Sequence, residues 1–276
     1  MKHIASAVLS VVSVVLSGLP AFGQSAQSLI IPDVVDGGGW QSTIVLTNSA
    51  TTTATVTLIF HSDTSGGNTQ AWTPTFLEAS STTGLALISG SSMFLHTPGT
   101  AATLTQGWAE VHADAGIVAY TIFTNRVPGH QDQDSTAPAV NATNRILVPY
   151  DDANGFVSAI AVVNPTATAQ SVSVGFQTTD GLIALDALPI VPPFGHMTFV
   201  LSQQFPEILG HLGLAEFYSA TGNLSMLAFR FNPTQSSASM PVFFESGAPL
   251  IQAPPPVGDP YMPGVYHALR PGSSTE

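Results

Sequence analysis

Few side chains in this 276-residue sequence are equipped for chemistry, and their spacing excludes the commonest kinds. There is no Cys, so no thiolate nucleophile, and Lys2 is the sole Lys. Neither a Gly-x-Ser-x-Gly elbow nor a Ser-x-x-Lys pair occurs, which removes the usual ways of activating a serine. Beyond the first residues the histidines are His61, His96, His112, His130, His196, His211 and His267. None belongs to a His-Glu-x-x-His motif, and no two lie two or four residues apart, the spacings that present zinc ligands on one face. They are expected to face solvent.

The oxygen ligands are better placed. Asp33 with Asp36, and Asp151 and Asp152 with Asn154, form tight acidic loops of the kind that bind calcium through carboxylate and amide oxygens. The second group is the stronger calcium candidate, with three such side chains within four residues. Asp and Asn beside Gly are also what an ordinary turn uses. Trp108 and Glu110 share a strand face and could contact a glycan, the ring stacking on the sugar and the carboxylate bonding its hydroxyls. Glu216 recurs at the position of Glu110, which points to a structural hydrogen bond to a neighbouring loop. His130, Asp132 and Asp134 lie in an acidic loop before residue 144. A site there would sit at a junction, although a solvated linker reads the same way.

The elements that must position these residues are duplicated. Gly39 to Thr51 aligns with Gly155 to Ala167, placing Asn48 on Asn164 at an offset of 116 residues. The same offset carries Val56, Leu58 and Phe60 onto Val172, Val174 and Phe176. Gly107-Trp108-Ala109-Glu110-Val111 then aligns with Gly213-Leu214-Ala215-Glu216-Phe217 at an offset of 106, so the second copy is ten residues shorter in its middle. Ala137-Pro138 and Met240-Pro241 close the copies. Internal similarity at this scale marks a repeated folding unit.

Within a copy the apolar period is two: Ala54, Val56, Leu58 and Phe60 alternate with Thr53, Thr55 and Thr57, as in strands with one buried face. Asp36-Gly37-Gly38-Gly39, Asn164-Pro165 and Asp180-Gly181 supply turns. Six to eight short strands in about 100 residues suit an Ig-like or fibronectin-like β-sandwich. The expected class is therefore all-β, with a first sandwich over 24–143, a second over 144–245 and a Pro-rich tail over 246–276. Trp40, matched by Phe156, reads as core, the tail as an extended, unpacked end, and Gln203 to Gly210 as a helical turn.

Lys2, the apolar run Ile4 to Leu16 and the small-residue site before Gln24 form a signal peptide over 1–23, too short to span a bilayer. The expected location is secreted, extracellular or cell-surface, with the periplasm as a further option. Beyond it, four Arg face 17 Asp and Glu, a net charge of 4 − 17 = −13. Nucleic acid and anionic lipid are unsuitable partners, since both demand basic groups, and no second apolar run is long enough for membrane insertion. Charged residues make up 8% of the chain, leaving a surface of hydroxyls and amides suited to other copies of the protein, extracellular matrix or glycans.

The segment Ile31-Pro32 to Asp36-Gly37-Gly38-Gly39-Trp40, followed by a strand ending in Asn48 and later by Gly107-Trp108-Ala109-Glu110-Val111, resembles the uncharacterised secreted tandem-repeat proteins of acidobacterial type. The resemblance spans residues 29–245 and implies architecture and export, with no activity to carry over. The expected function is that of a non-enzymatic structural or adhesive protein that self-associates. A carbohydrate-binding module using Trp108 and Glu110 is the alternative. No cofactor is expected, calcium apart.

Overall fold

The computed structural model describes residues 26–126, 129, 131–234 and 236–252. The segment 1–23 expected to be a signal peptide, His130 and most of the Pro-rich tail lie outside the described residues. The protein is all-β, with several antiparallel sheets consistent with a β-sandwich, and one short helix, α1 (Leu201–Gln204).

The N-terminal half runs β1 (Gln27–Gly37), β2 (Trp40–Asn48), β3 (Ala54–Asp63), β4 (Thr69–Trp72), β5 (Leu85–Leu87), β6 (Ser92–His96), β7 (Thr105–Ala113), β8 (Ile117–Asn125) and β9 (Gln133–Pro138). One side is β4-β3-β7-β1 and the other β2-β8-β9, with β5 on β3 and β6 on β2. The sides join where β1 turns into β2 through Gly37, Gly38 and Gly39, all at positive φ, a backbone region where a Cβ is strained. Between them lies an apolar core: Ile31, Leu58, Phe60 and Val111 from one side meet Ile44, Leu46, Leu95 and Ile117 from the other.

The C-terminal half runs β10 (Arg145–Asp151), β11 (Val157–Val163), β12 (Ser173–Thr178), β13 (Ile183–Ala187), β14 (His196–Val200), α1, β15 (Leu212–Tyr218), β16 (Ser225–Phe231), β17 (Ser237–Ser239) and β18 (Phe243–Glu245). Its sheets are β13-β12-β15-β10-β18 and β14-β11-β16-β17. Ile146, Val148, Phe176 and Phe217 pack against Ile160, Val162, Met226 and Ala228 across the gap. The helical turn expected from Gln203 is α1 with the 3-10 turn Pro206–Ile208, which lays Leu201, Phe205 and Ile208 into this core.

The two asparagines that end β2 and follow β11 are fully buried and do the same work. Asn48 donates from Nδ2 to the Thr52 and Leu87 carbonyls and accepts the Ala50 amide. Asn164 donates to the Thr168, Val191 and Pro192 carbonyls and accepts the Thr166 amide. Each pins its own turn and the connection crossing above it, satisfying backbone groups that water cannot reach.

The halves meet along β9 and β17, which lie side by side. Ser135 Oγ and Ser237 Oγ are 2.9 Å apart, the Thr136 amide donates to Ser239 Oγ at 2.8 Å, and Ser239 Oγ donates to the Thr136 carbonyl. Two strand edges that would otherwise be open are thereby closed against each other. Behind them Val35, Phe123 and Ala137 pack on Ala161, Leu227 and Phe229, and Trp108 and Ile30 on Val163.

The beginning of the tail differs from expectation. Residues 246–252 follow the outer face of β10, β12 and β15. Both oxygens of the buried Glu216 accept the Leu250 amide, at 2.7 and 2.9 Å, and one accepts the Ile251 amide at 2.7 Å. Arg145 Nη1 donates to the Ala248 carbonyl. Ile251 is buried over Gly175, where a Cβ would stand 2.8 Å from its own. The residue 116 positions earlier is Ile59, so the N-terminal half has no such notch.

Close backbone approach also explains the pair Gly107 and Gly213. A Cβ on Gly107 would meet the His61 carbonyl oxygen, and one on Gly213 the Gln177 carbonyl oxygen, each on the neighbouring strand. Gly107→Ala and Gly213→Ala should each lower unfolding free energy by about 1–3 kcal/mol, the usual cost of overpacking. Urea denaturation followed by far-UV circular dichroism measures this.

Candidate functional site

The residues with chemical potential gather at the joint between the halves. His196, the first residue of β14, has a fully buried side chain, and its Nδ1 lies 2.8 Å from Asp63 Oδ1 at the end of β3. Asp33, on β1, is buried beside it and accepts from Gln106 Nε2 at 3.2 and 3.1 Å through its two oxygens. Burial pushes the Asp33 carboxyl up to about 6, against the opposing pull of His196 and Gln106. Burial alone would lower the His196 imidazole; the hydrogen bond to Asp63 and the charges of Asp33 and Asp63 outweigh it and hold the group above its ordinary value. His196 Nε2 makes no hydrogen bond of good geometry among the described residues, and the Pro32 backbone adds to the groups that favour the protonated ring.

Next to this cluster, Trp108 is completely buried. Its indole N–H donates to the Phe194 carbonyl at 3.0 Å, and Thr69 Oγ1 donates to the same oxygen at 2.7 Å. Phe194 holds φ at 53°, an uncommon region for a residue with a Cβ, which turns that carbonyl toward the other half. The His61 ring stacks on Trp108 at 4.2 Å between centroids and lies parallel to Phe194 at 5.9 Å. Glu110 links His61 Nε2, at 3.0 Å, and His112 Nε2, at 2.8 Å. The hydrogen bond from His61, then that from His112, holds the Glu110 carboxyl below its ordinary range despite partial burial.

This placement corrects the glycan reading of Trp108 and Glu110. A ring with no exposed face cannot stack on a sugar, because the Phe194 loop already covers it. Trp108 instead joins the two halves; the residue aligned with it in the sequence is Leu214. The calcium reading of Asp151, Asp152 and Asn154 fares similarly. Asp151 is paired with Arg230 at 2.9 and 2.6 Å and accepts the Ala153 amide. Asp152 accepts from the Ser158 amide and Ser202 Oγ, and burial raises its carboxyl. Asn154 stands at φ 54° as a turn residue. Both oxygens of Asp151 and Oδ1 of Asp152 serve protein donors, Asp152 Oδ2 is buried without a partner, and no group of three or more His, Asp or Glu side chains able to hold a metal ion occurs among the described residues. Asp132 pairs with Arg126 at 3.6 Å, and Asp134 accepts from Thr124 Oγ1.

Trp40 is another correction: it is half-buried and lines a cleft of about 450 Å³ between the halves. Its walls are Val35, Phe123, Ala159, Leu227, Phe229 and Phe231, with Asp33 and Gln106 at one side and Leu104, Thr198 and Gln203 exposed at the mouth. Two expectations are corrected here: His196 is buried instead of facing solvent, and Asp33 bonds Gln106 while Asp36 accepts the Gly99 amide at 2.7 Å, so the two do not form a calcium loop. An isolated histidine and an aspartate before a strand bulge carry no spacing signal until 163 residues of chain bring them together.

No helix among the described residues is long and apolar enough to cross a membrane. No protein-family model matches the chain, and no curated protein matches it.

The buried groups make stability depend on pH. Asp33 and His196 both bind a proton more tightly when folded than when unfolded, so the folded state gains protons and stability falls as pH rises. For Asp33 the loss develops between about pH 4 and its folded value of about 6; that of His196 follows at higher pH. Unfolding free energy should be greater at pH 5 than at pH 7.5, with Asp33 contributing about 2–3 kcal/mol over its full window. Asp33→Asn should flatten the profile, measured by urea titration at each pH; an unchanged slope would contradict the assignment.

Proposed function

We propose that this chain is an exported, non-enzymatic structural or adhesive module made of two tandem Ig-like sandwiches. The observation that carries it is the fate of the reactive side chains. Trp108, His196, Asp63, Asp151 and Arg230 are engaged in holding loops and halves together, and no nucleophile with its base stands among them. Strand order supports the duplication: β4-β3-β7-β1 corresponds to β13-β12-β15-β10, and β6, β2, β8 and β9 to β14, β11, β16 and β17. Asn48 and Asn164, each donating to the carbonyl four residues on and accepting the amide two residues on, support it at the level of single hydrogen bonds.

The reading assigns the contact surface to the outside of the molecule, where hydroxyl and amide side chains dominate and charge is sparse. Such a surface has a small desolvation cost when covered by a second copy or by matrix. Export rests on the N-terminal segment.

Purified residues 24–276, run on size-exclusion chromatography with light scattering and incubated with cells and isolated extracellular matrix, should form concentration-dependent oligomers or be retained on one of these surfaces. A strictly monomeric protein that adheres to neither contradicts the proposal.

A further inference from the structure

The cleft between the halves is lined unlike the rest of the joint. Trp40 and Phe231, half-buried, give it aromatic walls over a floor of packed Phe123 and Phe229, and among its lining residues only Asp33 is ionisable. Its volume, about 450 Å³, falls in the range of small-molecule sites. We propose that this cleft binds a small arylalkyl primary amine, with the ammonium group against the Asp33 carboxylate and the apolar body on Trp40 and the phenylalanines.

Charge complementarity selects the class. The Asp33 carboxylate is desolvated, and its one side-chain donor, Gln106 Nε2, is neutral and shared between both oxygens. The Val34 amide adds to Gln106, and a carboxylate has about four acceptor positions, so there is room for a further donor. An ammonium supplies further donors and a second positive charge beside the one that His196 already presents to Asp33, and aromatic faces attract it further. A neutral alcohol of the same shape supplies one donor and no charge, while a carboxylate is repelled by Asp33 and by a chain whose formal net charge is −12. The exposed mouth at Leu104, Thr198 and Gln203 gives entry without separating the halves.

The groups facing Asp33 are Gln106 from β7, Asp63 from β3 and His196 from β14. The hydrogen bond of His196 goes to Asp63 and its pull on Asp33 acts through space, so an ammonium at Asp33 displaces no hydrogen bond of the imidazole. Because Asp33 must be ionised to receive it, amine binding should weaken as pH falls below about 6.

Isothermal titration of residues 24–276 with 2-phenylethylamine, 2-phenylethanol and 3-phenylpropanoate tests the proposal, with Trp fluorescence as a second readout of Trp40. At pH 7.5 the amine should bind at least ~10-fold more tightly than the alcohol, and the carboxylate should not bind. Asp33→Asn should erase the amine preference, and Ala159→Phe, which fills the cleft, should abolish binding of both neutral and cationic probes. Amine affinity should drop several-fold at pH 5. No amine saturation up to ~5 mM, equal amine and alcohol affinity in the unaltered protein, or amine binding indifferent to Asp33→Asn would each overturn it. The comparison of probes on the unaltered protein decides the matter even where a variant fails to fold.

Discussion

A buried imidazole held by a carboxylate from the other half is the constraint on which the joint depends. His196 has no exposed side-chain surface, and burying it is costly unless it is paired. Asp63 supplies the pair, at the end of β3, and can do so only while the loop before β14 stays against that strand. The same loop presents the Phe194 carbonyl to Trp108 and places the Phe194 ring parallel to that of His61. Polar geometry therefore sets the orientation of the halves. The apolar contacts around it supply most of the stabilisation, about 1.5–3 kcal/mol for each large side chain fully removed from water.

Much of the architecture is visible in the sequence because it is encoded locally. Period-two patterning around Val56, Leu58 and Phe60 is enough to specify which face of β3 is buried, and glycines at 37 to 39 announce the corner between β1 and β2. The aligned asparagines foretell a shared turn, and the shared glutamates a hydrogen bond to a passing segment, which Glu216 makes to Leu250 and Ile251. Glu110 departs from its partner. Its neighbours are His61 and His112 where the C-terminal half has Gln177 and Tyr218, so this carboxylate bonds imidazoles instead of a backbone.

What the sequence does not disclose is long-range. A Trp beside a carboxylate reads equally as a sugar platform or as a dock for another part of the chain. Only the position of Phe194 decides, 86 residues away. Asp151 likewise reads as a metal ligand until Arg230 is seen on it, its guanidinium also 3.5 Å above the Phe156 ring. In each case the competing ligand is a protein group delivered by tertiary structure. The same logic leaves Trp40 half-buried: the halves touch at β9 and β17, at the His196 loop and through the Phe123–Phe229 cluster, and Trp40 and Phe231 edge the cleft that opens over that cluster.

The central claim is that this polar joint makes the two halves one cooperative unit. Differential scanning calorimetry of residues 24–276 tests it most directly. The account predicts one transition whose calorimetric and van't Hoff enthalpies agree. Two resolved transitions, each with the enthalpy of about 100 residues, would contradict it by showing that the halves unfold independently.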